Sequence, residues 1–365
     1  MMEFWETPET IVFLQRSLRE WYQGQGRQLP WRQTSDAYAI WVSEIMLQQT
    51  QVKTVIPYYH RWLKEFPDIA TLAHSSLQSV LKNWEGLGYY ARARNLHRAA
   101  QQLVNDYQGT FPDELAAVLS LPGIGRTTAG GILSAAFNQP ISILDGNVKR
   151  VLARLVGLQT PPQKATNYLW QVSDTLLDQN HPREYNQALM DLGATLCTSK
   201  QPGCLLCPWR DCCQAFQQNL QTEIPMREPS SPIPHKQIGV AVIWNDQGNI
   251  LIDRRPQEGL LGGLWEFPGG KIEENESVET CIKREIAEEL GITVEVTEHL
   301  VTINHAYTHF RVTLNVYHCQ YVDGDPQLLE CEEIRWVKPE QLSAFPFPKA
   351  NTKIIDAIVQ GNSEK

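Results

Sequence analysis

Five of the eight cysteines lie within 17 residues, Cys197, Cys204, Cys207, Cys212 and Cys213, whereas Cys281, Cys319 and Cys331 are scattered. A disulfide scaffold spreads its cysteines through a small secreted domain. A tight cluster in a chain whose first twenty residues mix Glu3, Glu6, Glu9, Arg16, Arg19 and Glu20, with no signal-peptide pattern, reads as a metal site instead. The spacing Cys197-x6-Cys204-x2-Cys207-x5-Cys213 offers four thiolates in one compact loop, with Cys212 left over. Four sulfur ligands suit a tetrahedral zinc or a cubane iron–sulfur cluster, and spacing alone does not choose between them. Either group would order a loop-rich stretch with few apolar residues of its own, so its expected role is structural.

A length of 365 residues exceeds one compact core at roughly 100–200 residues per domain, so more than one unit is expected. A composition that is 42% hydrophobic and 20% charged excludes a mainly disordered chain. No apolar run approaches the roughly 18–20 residues of a membrane helix, which predicts a soluble, cytoplasmic protein. The net charge of −9 is unevenly placed. Residues 1–220 carry 19 Lys and Arg against 18 Asp and Glu, and residues 237–365 carry 11 against 21, so the front of the chain remains a candidate nucleic-acid binder.

Residues 9–220 show apolar positions at three- and four-residue spacing, as in Ile11, Val12, Leu14, Leu18, Trp21, Tyr22 and in Leu77, Val80, Leu81, Trp84, with no alternating strand pattern. Residues 221–236 hold four prolines in sixteen positions and read as an extended linker. Beyond it, short β-type runs at 238–244, 250–253, 294–297 and 310–317 interleave with a helical segment at 278–290 and a closing helix near 352–359. The expected organisation is an all-α domain over 1–220 containing the 197–213 loop, a Pro-rich linker over 221–236, and an α+β domain over 237–365.

Leu121-Pro122-Gly123-Ile124-Gly125-Arg126-Thr127-Thr128 places a Gly-x-Gly turn between two helix-compatible segments. Amides exposed at such a helix start can hold a phosphate oxygen without reading a base. About twenty residues on, Leu144-Asp145-Gly146-Asn147-Val148 puts an acid at the start of another helix, where its commonest duty is an N-cap.

The hairpin, the acid after it and the downstream four-cysteine loop, in this order and spacing, resemble the helix-hairpin-helix DNA glycosylase superfamily with an iron–sulfur loop, the endonuclease III-like fold. That resemblance implies a 4Fe–4S cluster on Cys197, Cys204, Cys207 and Cys213. Leu29-Pro30-Trp31-Arg32, Trp41-Val42-Ser43-Glu44-Ile45-Met46-Leu47-Gln48-Gln49-Thr50-Gln51-Val52 and Gly86-Leu87-Gly88-Tyr89-Tyr90 resemble the adenine-specific branch, the MutY family, over about residues 5–220. Bifunctional members of the superfamily carry a Schiff-base lysine just after Gly-x-Gly-Arg; this chain has Thr127, so a lyase is not expected.

Removing adenine requires a protonated leaving base and a stabilised oxocarbenium ion, a division of labour like that of glycosidase carboxylates. Glu44 sits among Trp41, Ile45, Met46 and Leu47, surroundings that raise a carboxyl pKa and suit it to protonate adenine N7. Asp145 is the expected ionised partner. By the resemblance, Asn147 and Thr127 position water and sugar, while Arg32 and Gln187 line the base pocket. Because the base is stacked in the duplex, it has to be extruded and the gap filled, which the resemblance assigns to Gln49 and Tyr89 with Leu87 beside them. Gly123 and Gly125 are the expected phosphate contacts.

In the last third, Gly270-x5-Glu276-x7-Arg284-Glu285-Ile286-x-Glu288-Glu289-x-Gly291-Ile292 fits every fixed position of the Nudix box. Glu285, Glu288 and Glu289 fall on one helix face and offer a magnesium site. The resemblance implies a Nudix-like lesion-recognition domain in which Tyr307, Thr308 and His309 inspect 8-oxoguanine. The expected activity is therefore monofunctional base-excision repair of adenine opposite 8-oxoguanine or guanine, by a monomer on duplex DNA. Proteins of the repair or replication machinery are further partners to consider. The competing readings are a nucleotide diphosphohydrolase, which would release pyrophosphate from free nucleotides with magnesium, and a non-catalytic lesion sensor, which would be indifferent to Glu44→Gln.

Overall fold

The computed structural model describes residues 3–226, 228, 232–307 and 310–363. Contacts divide the chain into two compact units, one of residues 1–73 and 98–230, the other of residues 74–97 and 231–365. No helix among the described residues is long and apolar enough to cross a membrane.

The first unit is helical. Helix α1 (Pro8–Gln25) starts on Pro8, with the Thr7 hydroxyl accepting from Thr10 N–H. Such an N-cap satisfies a donor the helix cannot satisfy itself, and proline at the first position loses nothing by lacking one. Helix α2 (Ala37–Leu47), capped by Asp36, buries eight of its eleven residues, which is why its sequence is apolar all round instead of striped. There follow α3 (Val52–Glu65), α4 (Ile69–His74), α7 (Leu115–Ser120) and α8 (Arg126–Phe137), while α5 (Leu77–Trp84) and the start of α6 (Ala91–Tyr107) fall in the second unit. Helix α9 (Gly146–Leu155) begins at Asp145, whose Oδ1 accepts from Val148 N–H at 2.7 Å. Helices α10 (Thr166–Leu176) and α11 (Pro182–Asp191) pack with α1 and α9 around Leu14, Leu18, Val148, Leu152, Leu169, Val172 and Leu189.

Helix α8 carries Gly130 and Gly131 in its middle, where each glycine costs about 1 kcal/mol against alanine. Both are required by close approach. A Cβ at Gly130 would stand 2.3 Å from the Ser142 carbonyl oxygen, and one at Gly131 would stand 2.7 Å from the Glu44 carboxylate.

The second unit is built on a seven-stranded sheet. Strands β1 (His235–Trp244), β2 (Ile250–Arg254), β3 (Trp265–Glu266), β5 (Thr293–Ala306) and β6 (Arg311–Asp323) run in the order β3-β2-β1-β6-β5; β4 (Gly269–Lys271) pairs with β1 and β7 (Glu333–Val337) with β2. Among the described residues only the β1–β6 pair is parallel. Successive β1 residues face opposite ways, as the period of two requires. Val240 and Val242 meet Phe347, Ile354 and Ile358 on the side of the closing helix (Lys349–Ser363), and Ala241 and Ile243 meet Ile282, Ile286 and Leu290 of the helix Val278–Leu290. The unit is thus a sheet between helices.

Residues 74–97 belong to this unit through side chains that bond its backbone. Gln78 donates to Gly263 O at 3.0 Å and accepts from Trp265 Nε1 at 3.0 Å. Lys82 Nζ donates to Phe345 O, Glu85 Oε1 accepts from Phe347 N–H, Tyr90 donates to Phe347 O, and Arg94 donates to Gly262 O at 2.7 Å.

Candidate active site

A cavity of about 850 Å³ opens in the first unit, lined among others by Arg32, Glu44, Gln49, Asp145, Asn147 and Gln187. Six of the expected site residues, from five segments spread over 155 positions of sequence, thus share one wall-to-wall space large enough for a nucleobase. Thr127 is not one of the lining residues. It lies half-buried in the first turn of α8, next to Thr128, whose hydroxyl accepts from Gln48.

Glu44 opens onto the cavity but is ringed by protein, and burial, with the Asp145 charge adding to it and Arg32 opposing, pushes its carboxyl up to about 7. Asp145 is also raised by burial, while N–H groups of Val148 and Asn147 and the Arg150 charge hold it back. Its N-cap duty and its place on the cavity wall coexist: Oδ1 caps α9 and Oδ2 accepts from Asn147 Nδ2 at 3.4 Å. Two acids share one cavity, Glu44 with no charge-assisted partner among the described residues and Asp145 held by N–H donors and the Arg150 charge that favour its ionised form, an arrangement suited to an acid and a charge-stabilising role.

Several residues that the sequence reading passed over organise this space. Asp191, with no exposed side-chain surface, binds both Arg32 Nη atoms at 2.7 Å and the Arg27 Nε at 2.7 Å. Burial pushes the Asp191 carboxyl up, but the two guanidinium groups outweigh it and hold it below the ordinary range. Arg150 donates to Asn147 Oδ1 at 2.9 Å, to Gly193 O and to Cys197 O, so one guanidinium ties the cavity to the cysteine loop. Arg150 lies one turn past Asn147, which is a sequence signal; Asp191 lies 159 residues from Arg32 and gives none.

Cys197, Cys204, Cys207 and Cys213 line one small cavity, and Cys212 does not. Burial pushes Cys207 up to about 12 and Cys213 to about 11, and the Cys197 charge adds to both. The buried Arg154 donates to Cys197 Sγ at 3.2 Å, to Thr198 O and to Ile224 O, and Cys213 Sγ donates to the Arg154 carbonyl. Among the described residues no group of three or more His, Cys, Asp or Glu is gathered on a single-ion geometry. Four thiols around a shared cavity, with a buried cation beside them, fit a group that takes each sulfur at a different corner and carries net negative charge.

At the hairpin, Gly123 has a φ of 81°, which a glycine adopts without strain. Gly125 has an ordinary φ, and a Cβ there would meet nothing within 4 Å, so no neighbour inside the protein explains it. Gln49 has a φ of 58° and is exposed.

In the second unit, Leu87 is buried and Tyr89, with a φ of 49°, is exposed, its ring under the Arg92 guanidinium at 5.4 Å. Among the described residues the three carboxylates of the expected magnesium site form no group that could hold a metal ion. Arg284 binds Glu285 at 2.8 Å and Glu288 at 3.0 Å, whereas Glu289 accepts from Gly269 N–H and is pushed up to about 8 by burial, then by Glu266 and Glu285. Tyr307 stacks on Phe310 with ring centroids 4.7 Å apart. Thr308 and His309 lie outside the described residues.

Comparison with known proteins agrees with both units. Residues 42–173 match the model of the HhH-GPD superfamily of base excision DNA repair proteins, and residues 239–357 match that of the NUDIX domain. A thermostable thymine-DNA glycosylase superposes with a TM-score of 0.54 at 25% identity, covering 57% of this chain and 98% of its own. An endonuclease III from a DNA complex shares the fold at a TM-score of 0.51 and 19% identity, covering 59% of this chain and 99% of its own. The adenine DNA glycosylase of Buchnera aphidicola (subspecies Baizongia pistaciae) is 41% identical over 71% of this chain and 74% of its own length. The mouse and human adenine DNA glycosylases are 33% and 32% identical over 94% and 98% of the chain and 77% and 76% of theirs. With the acid pair, the hairpin and the NUDIX domain on one chain, and relatives of that identity over most of their length, the chain belongs to the adenine DNA glycosylase family.

Proposed function

We propose that the protein hydrolyses the N-glycosidic bond of adenine mispaired with 8-oxoguanine, and more slowly with guanine, in duplex DNA. The observation that carries this reading is the pair Glu44 and Asp145 on one cavity, with Glu44 raised to about 7. Glu44 gives its proton to N7 of the extruded adenine, and the C1′–N9 bonding pair leaves with the base. Asp145 faces the oxocarbenium ion that forms. Asn147, held by Arg150, positions the water that adds to C1′, and the leaving water proton passes to a carboxylate. No amine stands at Thr127, so the abasic sugar stays in an uncut strand and the free base is the released product.

The hairpin amides around Gly123 and Gly125 hold a backbone phosphate, and the open space at Gly125 is room for it. Gln49 and Tyr89, both in the left-handed backbone region, carry the two intercalating roles. Thr127 acts beside the sugar, and Tyr307, Thr308 and His309 read the opposite lesion. Cys197, Cys204, Cys207 and Cys213 hold a 4Fe–4S cluster, which supplies an ordered loop beside α9 and takes no part in the bond breaking. The Nudix-like box serves as a frame for its sheet, since Arg284 engages two of its three carboxylates. The domains are 1–220 and 237–365 in sequence, joined by 221–236, and the protein acts as a monomer.

The test is single-turnover adenine release by cluster-loaded protein from duplexes with adenine opposite 8-oxoguanine, guanine or thymine. Release in that order of rate, lost by about 10²–10⁴ in Glu44→Gln, is expected. No release from any duplex, with magnesium-dependent pyrophosphate release from free nucleotides instead, would replace this reading with the diphosphohydrolase one.

A further inference from the structure

Tyr22 is not among the residues that line the cavity, yet its hydroxyl donates to Oε1 of Gln187, which lines it, at 2.8 Å. The bond has a direction. A phenol has one proton to give, and spending it on the amide oxygen leaves the Gln187 Nε2 with two protons to offer. Among the described residues that nitrogen meets no protein acceptor, and Gln187 is 8% exposed, its open surface being toward the cavity.

Tyr22 is itself held from two sides. The Arg32 guanidinium lies over its ring, 5.6 Å from the centroid, and that guanidinium is fixed by both oxygens of Asp191. Gly26 closes over the ring so tightly that a Cβ there would stand 2.6 Å from Cε2. An amide side chain rotates readily between two faces, and a rigid donor on one oxygen removes that freedom before a ligand arrives.

We infer that Tyr22 is a positioning residue that locks the Gln187 amide with its N–H donors facing the extruded base, so that the pocket demands an unprotonated nitrogen at N1 or N3 of that base. The inference rests on the proposed use of the cavity for adenine, in which Glu44 engages N7 and leaves the pyrimidine edge to Gln187. Adenine offers acceptors at both N1 and N3. A base protonated at N1 would meet donor with donor there, and a mismatched buried pair is heavily penalised.

The experiment is a cycle of enzyme and substrate changes on the full-length, cluster-loaded protein. Wild type and Tyr22→Phe, which keeps the ring under Arg32, are compared by single-turnover release of adenine, 1-deazaadenine and 3-deazaadenine opposite 8-oxoguanine. Wild type is expected to lose about tenfold on one of the two deaza bases beyond its loss on the other. Tyr22→Phe should be slower on adenine by about tenfold yet lose little more on that same deaza base, because the contact is already gone. Gln187→Glu, which keeps an oxygen for Tyr22 but removes the donors, should reproduce this selective loss with the Tyr22 hydroxyl present. Equal slowing of all three bases by Tyr22→Phe, or unchanged adenine release, overturns the positioning role. Absence of adenine release by wild type would instead sink the proposed function beneath it.

Discussion

Burial, with the Asp145 charge adding to it, raises the Glu44 carboxyl to about 7, and Gly131 leaves the space in which that carboxyl lies. A side chain at 131 would stand within 2.7 Å of it, so Gly131→Ala should push Glu44 out of register and slow adenine release, while far-ultraviolet circular dichroism stays unchanged. Because Glu44 is raised to about 7, the rate should fall as pH climbs past about 7. Stability carries the same sign: a raised acid favours the fold below its ordinary value of 4.5 and loses that contribution as pH rises through about 7. Glu44→Gln should therefore unfold at a higher temperature than wild type at pH 8 while losing activity, and an equal or lower midpoint would contradict the burial argument. Asp191 works the other way. Its depressed pKa gives stability that is present above the ordinary carboxylate range and lost as pH falls through its folded value. Asp191→Asn leaves two guanidinium groups without their shared partner, at a cost of about 3–5 kcal/mol in denaturant unfolding. Thr127→Lys should gain strand nicking at abasic sites if that position faces the sugar; a folded variant without nicking would remove Thr127 from the site.

At the scale of elements, legibility in the sequence followed length and capping. The helix Val278–Leu290 was readable to the residue because Ser277 caps its start and Gly291, at a φ of 66°, ends it. Gly291→Ala should cost about 1–2 kcal/mol through the left-handed backbone alone, measurable by thermal unfolding. Strands β3, β4 and β7 were not anticipated, since runs of two, three and five residues are too short to show alternation, and their places follow from pairing with β1 and β2. Glu44 and Asp145 were legible as candidates because one has apolar neighbours and the other begins a helix. That both line one cavity, and that α8 yields to Glu44 at Gly131, are packing facts with no local signature. Tyr22 was visible as one of a helical row of apolar positions, and its bond across 165 residues to Gln187 was not.

At the scale of the molecule, the contact units do not follow the order of the chain. Residues 74–97 bond the backbone of Gly262, Gly263, Phe345 and Phe347, so a chain ending near Gln221 would lose every one of those partners. Limited proteolysis should cut such a chain within 74–97 far faster than the full chain, and equal rates would argue that the helices α5 and α6 hold that segment unaided. The near-neutral first 220 residues and the acidic remainder predict that DNA affinity falls with salt according to the phosphates contacted by the front of the chain alone. The same interleaving sets a timetable on the ribosome. At about 5–20 residues per second, segment 74–97 emerges roughly ten seconds or more before the backbone it docks on, so the growing chain has to keep Trp84 and its neighbours out of other associations until Phe345 and Phe347 have been made.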